Sequence, residues 1–275
     1  YMDIKAFKMD GLGNDFVIID QRSQNFNLSK DQIVKICDRN FIGCDQLIFI
    51  QKSEKKDAGL EFYNSDGSIS SACGNGTRCV ADLLSKENND KEITLWTSSG
   101  SLKSKILENN LVETEIGVPK TSWNEIPLNK DLDTKDLNIK IVSKNNIAYV
   151  GGTSINVGNP HIIFFVDNIE DYNLEKIGPE IENHKYFPEK CNVTLAKVMS
   201  KNLIKVKVWE RGAGLTKACG TAACATAVAG NINGLTDKKT DIEFALGKLS
   251  ISIDENNSVH MKGPVSDIKN IEINI

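Results

Sequence analysis

The chain has 275 residues, 40% of them hydrophobic and 25% charged, and a formal net charge of −4. No apolar run is long enough to span a bilayer, and the lysines are scattered rather than clustered or interleaved with aromatics, so neither a membrane nor a nucleic-acid partner is expected. A small-molecule substrate is the remaining expectation, on either one large domain or two of ordinary size.

The opening stretch YMDIKAFKMDGLG lacks the apolar core of a signal peptide, so cytoplasmic residence is expected, and Tyr1 ahead of Met2 reads as an addition set aside from the fold. Strands dominate the chain. IKAFKM, FVIID, QLIFIQ, LEFY, ITLWT, LVETEI, HIIFFV, VTLAKVM, LIKVKVW, DIEFAL and KLSISI are β-branched or aromatic-rich and bounded by Gly, Asn, Asp or Pro. Helical periodicity is confined to residues 30–38, the stretch after Gly76 with Val80, Leu83 and Leu84 on one face, residues 174–183 and residues 219–232.

The second and fourth helices follow related segments, ACGNGTRCVADLL at 72–84 and ACGTAACATAVAG at 218–230. Each is an Ala-Cys-Gly turn opening a helix, with strands ahead of it. The spacing is close to half the chain and predicts two similar β-rich domains, each contributing one cysteine loop. The polar stretch GVPKTSWNEIPLNKDLDTKD lies between them as the natural crossover. The expected boundaries are 1–120, joined by C-terminal strands at about 265–275, and 121–264.

The seven cysteines, Cys37, Cys44, Cys73, Cys79, Cys191, Cys219 and Cys224, form no repeated C-x-x-C pair of the zinc type, and in a reducing compartment most stay free thiols. No metal ligand set is expected. Cys73 and Cys219 stand at helix starts, where unpaired N–H groups and the positive helix end lower a thiol pKa from about 8.5. Gly74 and Gly220 let a ligand approach the backbone N–H groups there, a natural carboxylate site. Two such loops facing each other across a cleft would put one thiol on each face of a substrate carbon and suit removal of a proton from one face and delivery to the other. An amino-acid α-proton is very weakly acidic, so such a site must stabilise the carbanion with preorganised N–H dipoles. Against this stands the plain alternative of buried structural thiols, which the duplication and the helix-start position disfavour for Cys73 and Cys219. Cys79 and Cys224 inside the helices, with Cys37, Cys44 and Cys191, read as packing residues. Disulfides within either loop are awkward in a helix, whereas Cys73–Cys219 is conceivable as an oxidised, inactive form.

GLGNDFVIID, GCDQLIFI, FYNSDGS, ACGNGTRC, GNPHIIFF and WERGAGLTKACGTAACA, in this order, resemble the diaminopimelate epimerase family from Asp10 to beyond Ala225. The resemblance implies an α+β fold of two pseudo-symmetric domains, each a sheet or barrel wrapped around a central helix, with the active site in the cleft between them and the terminal strand IEINI returning to the first domain. It implies a cofactor-independent two-base mechanism in which Cys73 and Cys219 interconvert LL- and meso-diaminopimelate, and a homodimer. It implies further that Gly74, Asn75, Gly220 and Thr221 bind the reacting carboxylate. Asn64, Asn159, Asn192, Glu210 and Arg211 would take the distal end, with Asn14 and Gln46 lining the pocket and His161 and Glu210 tuning the thiols.

An arginine fork suits a carboxylate and a glutamate an ammonium, so a substrate lacking the distal zwitterion should be rejected. The asparagines in YNSDGS and VGNP are also good turn residues, His161 entering an apolar strand also fits a structural role, and Arg78 is expected to be partly buried and to pair locally or touch substrate. Ala222 and Leu215 depart from the family's usual glycine and polar residue. The alternatives are a proline-type racemase or 3-hydroxyproline epimerase, which FYNSDGS and Arg211 disfavour, and a thiol redox or metal-binding module without turnover.

Overall fold

The computed structural model describes every residue except 1, 25, 71, 72 and 99, so Tyr1 and the Ser-Ala pair ahead of Cys73 lie outside it. The first stretch contains β1 (Asp3–Gly11), β2 (Asn14–Asp20), α1 (Lys30–Cys37), β3 (Gln46–Gln51), β4 (Ala58–Asn64), β5 (Ile69–Ser70), α2 (Gly74–Asn88), β6 (Glu92–Thr97), β7 (Gly100–Ile106) and β8 (Leu111–Gly117). There follow β9 (Ile139–Val142), β10 (Ala148–Gly151), β11 (Thr153–Asn156), β12 (Pro160–Phe165), α3 (Leu174–Glu182), β13 (Asn192–Ser200), β14 (Leu203–Glu210), β15 (Gly214–Thr216), α4 (Gly220–Ile232), β16 (Lys239–Phe244), β17 (Gly247–Ile253), β18 (Val259–Pro264) and β19 (Lys269–Asn274). Two compact units result, one built from the chain up to Glu115 plus Lys262–Ile275, the other from Ile116–Met261.

In the first unit β1 pairs antiparallel with β2, β2 parallel with β3, β3 antiparallel with β4, β4 antiparallel with β5 and parallel with β6, and β6 antiparallel with β7. In the second, β11, β12, β13, β14, β15, β16 and β17 repeat the same order and sense of pairing. The helices repeat as well, since α1 and α3 bridge the first parallel pair of each unit and α2 and α4 the second. Parallel neighbours need such crossovers, which is why each unit holds one helix at each of these places. The expected pair of similar α+β units is thus visible in the pairing itself.

The first unit has two cores on the two faces of β2. Phe16 and Ile18 meet Val80, Leu83 and Leu84 of α2, whereas Val17 and Ile19 meet Ile33 and Ile36 of α1. A strand buried on both faces reads as a continuous apolar run, as FVIID does. Helix α2 is buried from Asn75 to Ser85 and packs on β1, β2, β6 and β7, so it runs through the middle of the strands. Gly76 permits this approach: a Cβ there would stand 2.8 Å from Ile48 and 2.9 Å from Phe62. Helix α4, buried at Gly220 and from Ala222 to Gly230, is enclosed in the same way by β11, β12, β13, β16 and β17. Its run of alanines holds little side-chain entropy and fits a helix with a neighbour on every side.

Several expectations shift in detail. DIEFAL ends as a strand at Phe244, because Ala245 and Leu246 form the two-residue turn that pairs Phe244 with Gly247. The stretch at 117–136, expected as the crossover, begins where the second unit begins and anchors in that unit's core, with Ile126 and Leu128 buried beside Leu137, Phe164 and Leu195. Strand β19 pairs antiparallel with β1, Asp3 opposite Asn274 through Lys8 opposite Lys269.

Candidate active site

The first cysteine loop is set by β1, β2 and α2. Leu12 and Gly13 form a two-residue hairpin turn with φ of 54° and 77°, a turn that demands positive φ at both positions and suits the twist of the strands. Leu12 adopts this rare conformation while its side chain is buried. The turn delivers Asn14 to the first position of β2, where its Oδ1 accepts from the Cys73 thiol at 3.4 Å.

Asn14 is itself held, because its Nδ2 donates to Asp45 at 2.9 Å and Asp45 accepts from the amide of Asp15 and from Arg39. Arg39 forks onto both oxygens of Asp15 at 2.6 and 2.8 Å. Burial alone would raise the Asp15 carboxyl, but its hydrogen bonds to Arg39 and to the Asp45 amide, with the charges of Arg39 and Lys8, hold it down at about 2.

Cys73 occupies the N-cap position of α2 in extended conformation, and its thiol makes no cap hydrogen bond. The N–H groups of Gly74 and Asn75 have no partner within the helix, as in the first turn of any helix, and point out beside this thiol. Asn75 is fully buried; its Oδ1 accepts from Arg78 at 2.6 Å, and its Nδ2 has no hydrogen-bond partner among the described residues. A buried amide donor left open at a cysteine loop is the kind of vacancy a ligand oxygen fills. Arg78, expected to be partly buried, is fully buried and pairs locally. Gly11 makes its space, since a Cβ there would sit 3.3 Å from the guanidinium. Gln46 and Asn64 lie opposite each other on β3 and β4, with Gln46 Nε2 donating to Ser70 at 2.7 Å and to Asn64 Oδ1 at 3.3 Å.

In the second unit Cys219 holds the corresponding N-cap of α4, again extended, and is nearly buried. Here the sulfur accepts from the Ala222 amide at 3.4 Å and lies 3.5 Å from the Thr221 hydroxyl. Ala222, the departure from the family's glycine, keeps its N–H free for this bond. Glu210, at the end of β14, faces Cys219 and Thr216; burial raises its carboxyl above the ordinary range, and hydrogen bonding with these two residues offsets part of that. A carboxylate made more basic beside a thiol is a proton acceptor for it.

His161 gathers the remaining polar residues. Its Nε2 lies 2.8 Å from Asn159 Oδ1, 3.1 Å from Thr221 Oγ1 and 3.5 Å from Asn192 Nδ2. The Asn159 oxygen can only accept, so Nε2 carries the hydrogen of a neutral ring, and Nδ1 is a buried acceptor with no partner among the described residues. Burial, assisted by the charge of Arg211, lowers the imidazole to about 3. Asn192 is a strut: it donates to the Pro160 carbonyl at 3.0 Å and accepts from the Arg211 amide at 2.8 Å. The Arg211 guanidinium donates to the Glu189 carbonyl at 3.0 Å. Leu215 lies opposite Trp209 and is partly exposed; nothing in the structure explains its choice over a polar residue.

The depressed His161 value has a measurable sign. The unfolded ring takes a proton near 6.5 and the folded one only near 3, so its stabilisation is present above about 6.5 and is lost as pH falls toward 3. Between about pH 6 and 4.5 the urea-unfolding free energy of the parent should fall more steeply than that of His161→Gln, by up to about 1.4 kcal/mol per pH unit. Parallel slopes in the two proteins would show that His161 is not held neutral.

Two supports escape sequence reasoning. Asp45 stands beside Gln46 in GCDQ, a segment that resembles the family, and that adjacency could have flagged it. Glu182, the last residue of α3, accepts from Trp209 Nε1 at 2.8 Å and from the Gly212 amide at 3.2 Å, bracketing Glu210 and Arg211. No motif marks it.

Each unit therefore presents a thiol at the N-cap of an enclosed helix, beside first-turn N–H groups that the helix itself does not pair, and each holds a buried polar atom without a partner among the described residues, Asn75 Nδ2 in one and His161 Nδ1 in the other. Solved structures share the fold: a hydroxyproline epimerase from Agrobacterium vitis aligns with a TM-score of 0.69 at 11% identity over 99% of this chain and 92% of that one. A phenazine biosynthesis protein of the PhzF family from Bacillus anthracis aligns with a TM-score of 0.65 at 17% identity over the whole of both. The fold is thus that of the epimerase and PhzF class of paired α+β units. Within it, the model of the diaminopimelate epimerase family matches residues 6–122 and 153–268. The chain is 77% identical over 274 residues to the diaminopimelate epimerase of Pelagibacter ubique (strain HTCC1062), covering 100% of both. It is 40% identical over 260 residues to that of Acidiphilium cryptum (strain JF-5), covering 94% of this chain and 92% of the relative. The chain belongs to the diaminopimelate epimerase family.

Proposed function

We propose that the chain interconverts LL- and meso-2,6-diaminopimelate, in lysine and peptidoglycan precursor biosynthesis, with Cys73 and Cys219 as the acid–base pair. The observation that carries this is the repetition: two cysteines stand at the N-cap positions of two enclosed helices in units with the same strand pairing. One sulfur, as thiolate, takes the α-proton; the other, as thiol, gives a proton to the opposite face. The substrate then leaves with inverted configuration and the two sulfurs with exchanged protonation.

The carbanion between these steps is stabilised through its carboxylate by the N–H groups of Gly74, Asn75, Gly220 and Thr221, dipoles already oriented before substrate arrives. Asn14 accepts from the Cys73 thiol and so favours its protonated form, whereas the Ala222 amide donates to Cys219 and favours a thiolate there. Glu210 supplies the adjacent acceptor when Cys219 is a thiol. We assign Asn64, Asn159, Asn192 and Arg211 to the distal amino-carboxylate end, with Gln46 and Asn14 lining the site and His161 fixing Asn159 and Thr221. Proton transfer between two sulfurs through a stabilised carbanion needs no cofactor.

Among the described residues no helix is long and apolar enough to cross a membrane. The homodimer rests on the family likeness. The test is isotopic: in deuterium oxide the enzyme should place solvent deuterium at the α-carbon of diaminopimelate as the LL and meso forms interconvert. Interconversion without deuterium entry, or turnover of proline in place of diaminopimelate, would overturn the assignment.

A further inference from the structure

Two buried thiols have no part in the proton transfer. Cys37 ends α1, and Cys44 lies two residues ahead of β3. The Cys44 thiol donates to the Cys37 sulfur at 3.4 Å, and the Cys44 amide donates to the Cys37 carbonyl at 3.2 Å. Their main chains are therefore hydrogen-bonded neighbours and their side chains aim at each other. That is the placement from which two sulfurs close to a bond of about 2.05 Å with little backbone movement.

The loop between them is fixed at both ends. Gly43, at φ 82°, donates to the Ile36 carbonyl at 2.9 Å, and a Cβ on it would strike Arg39 at 2.9 Å. Arg39 is tied to Asp15 and Asp45. The loop residues Asp38 to Phe41 are exposed, so the buried pair lies beneath a short stretch of surface chain.

The contact also sets the order of reaction. The Cys44 S–H bond favours charge on Cys37, with help from Arg39, so the Cys37 thiol is lowered from its ordinary value while Cys44 is pushed up by that same bond and by burial.

We propose that Cys37 and Cys44 form a reversible disulfide when the protein meets hydrogen peroxide, a modification site separate from Cys73 and Cys219. The Cys37 thiolate attacks a peroxide oxygen; the S–O bond forms, the O–O bond breaks and hydroxide leaves, to become water with the proton Cys37 lost. The Cys44 sulfur then attacks the sulfenic sulfur, forming S–S and expelling the oxygen as water with the Cys44 proton. Two thiols and one peroxide give one disulfide and two waters. The bond would form one residue from Asp45, whose carboxylate holds Asn14 against Cys73.

The unvaried chain, exposed to hydrogen peroxide, quenched in acid and capped with a maleimide, is digested with trypsin without reduction. Cleavage after Lys35, Arg39 and Lys52 puts the two thiols on separate peptides, 36–39 and 40–52. In most chains these peptides should appear joined, lighter by two hydrogens than their sum. They should separate with dithiothreitol and should not join in Cys37→Ser or Cys44→Ser. Maleimide on both peptides after Cys73 and Cys219 have oxidised, or sulfinic acid on Cys37 beside labelled Cys44, would overturn the proposal, as would Cys37 bonded to any other cysteine.

Discussion

Cys73→Ala and Cys219→Ala each lower kcat for diaminopimelate epimerisation by about 10³-fold or more, the range set by loss of a positioned acid or base. Either change leaves one face of the α-carbon without a proton carrier, so inversion stops even where the other thiol still works. KM should move far less, because the groups assigned to the reacting carboxylate are backbone N–H donors that alanine leaves in place. The fold should tolerate both changes. The Cys73 side chain is only part-buried and loses one long bond to Asn14, and Cys219 loses long, weak sulfur contacts to Ala222 and Thr221 and its bond with Glu210, so each variant should unfold within about 1–2 kcal/mol of the parent. Steady-state kinetics with urea unfolding separates the two effects. A variant that retains more than about a tenth of parental kcat removes that sulfur from the acid–base pair.

The largest structural effect falls on a residue that touches neither proton. Arg78→Ala should destabilise the chain by about 3 kcal/mol or more, the cost of emptying a large buried side chain together with that of leaving polar partners unmet. Arg78 is among the largest fully buried side chains of the protein, and its guanidinium bonds the Asn75 oxygen at 2.6 Å. Without it the Asn75 side chain loses the bond that orients it at the start of α2, so the surviving folded enzyme should show weaker substrate binding as well as a lower unfolding midpoint. Arg78→Lys retains a charge but not the planar fork and should recover only part of the stability. Equal unfolding midpoints for parent and Arg78→Ala would mean that the buried charge and its cavity do not matter to the fold.

What the sequence revealed depended on where a residue's partner lies. FVIID and QLIFIQ were legible as strands because helices cover them and their inner runs, Phe16 to Ile19 and Leu47 to Ile50, are wholly apolar. GSLKSKI was missed, since β7 sends Lys103 and Lys105 outward and shows no apolar rhythm, and its membership of the sheet is written only in its pairing with β6 and β8. Strands β9, β10 and β15 are too short to carry a pattern. The cysteine loops were legible because they recur with the same Ala-Cys-Gly start. Asp45 and Glu182 were not, since each acts through residues about thirty positions away and their own neighbourhoods look ordinary. Cys37 and Cys44, which read as packing residues, are indeed buried in a core; their mutual contact is a fact of the α1 to β3 turn that no spacing rule conveys.

The pairing of β1 with β19 has a consequence for synthesis. As the chain emerges from the ribosome, the strands and helices of Ile116–Met261 are all present before residues 269–274 exist, so the later-made unit can close first. Until then β1 offers an unpaired edge from Asp3 to Lys8, with the apolar Ile4 and Ala6 awaiting Ile273. Vectorial folding ordinarily favours the N-terminal portion, and here the register reverses that order. Strand β1 thus waits for β19 to be made before that edge is sealed, and the exposed edge is the segment a nascent-chain chaperone would be expected to meet.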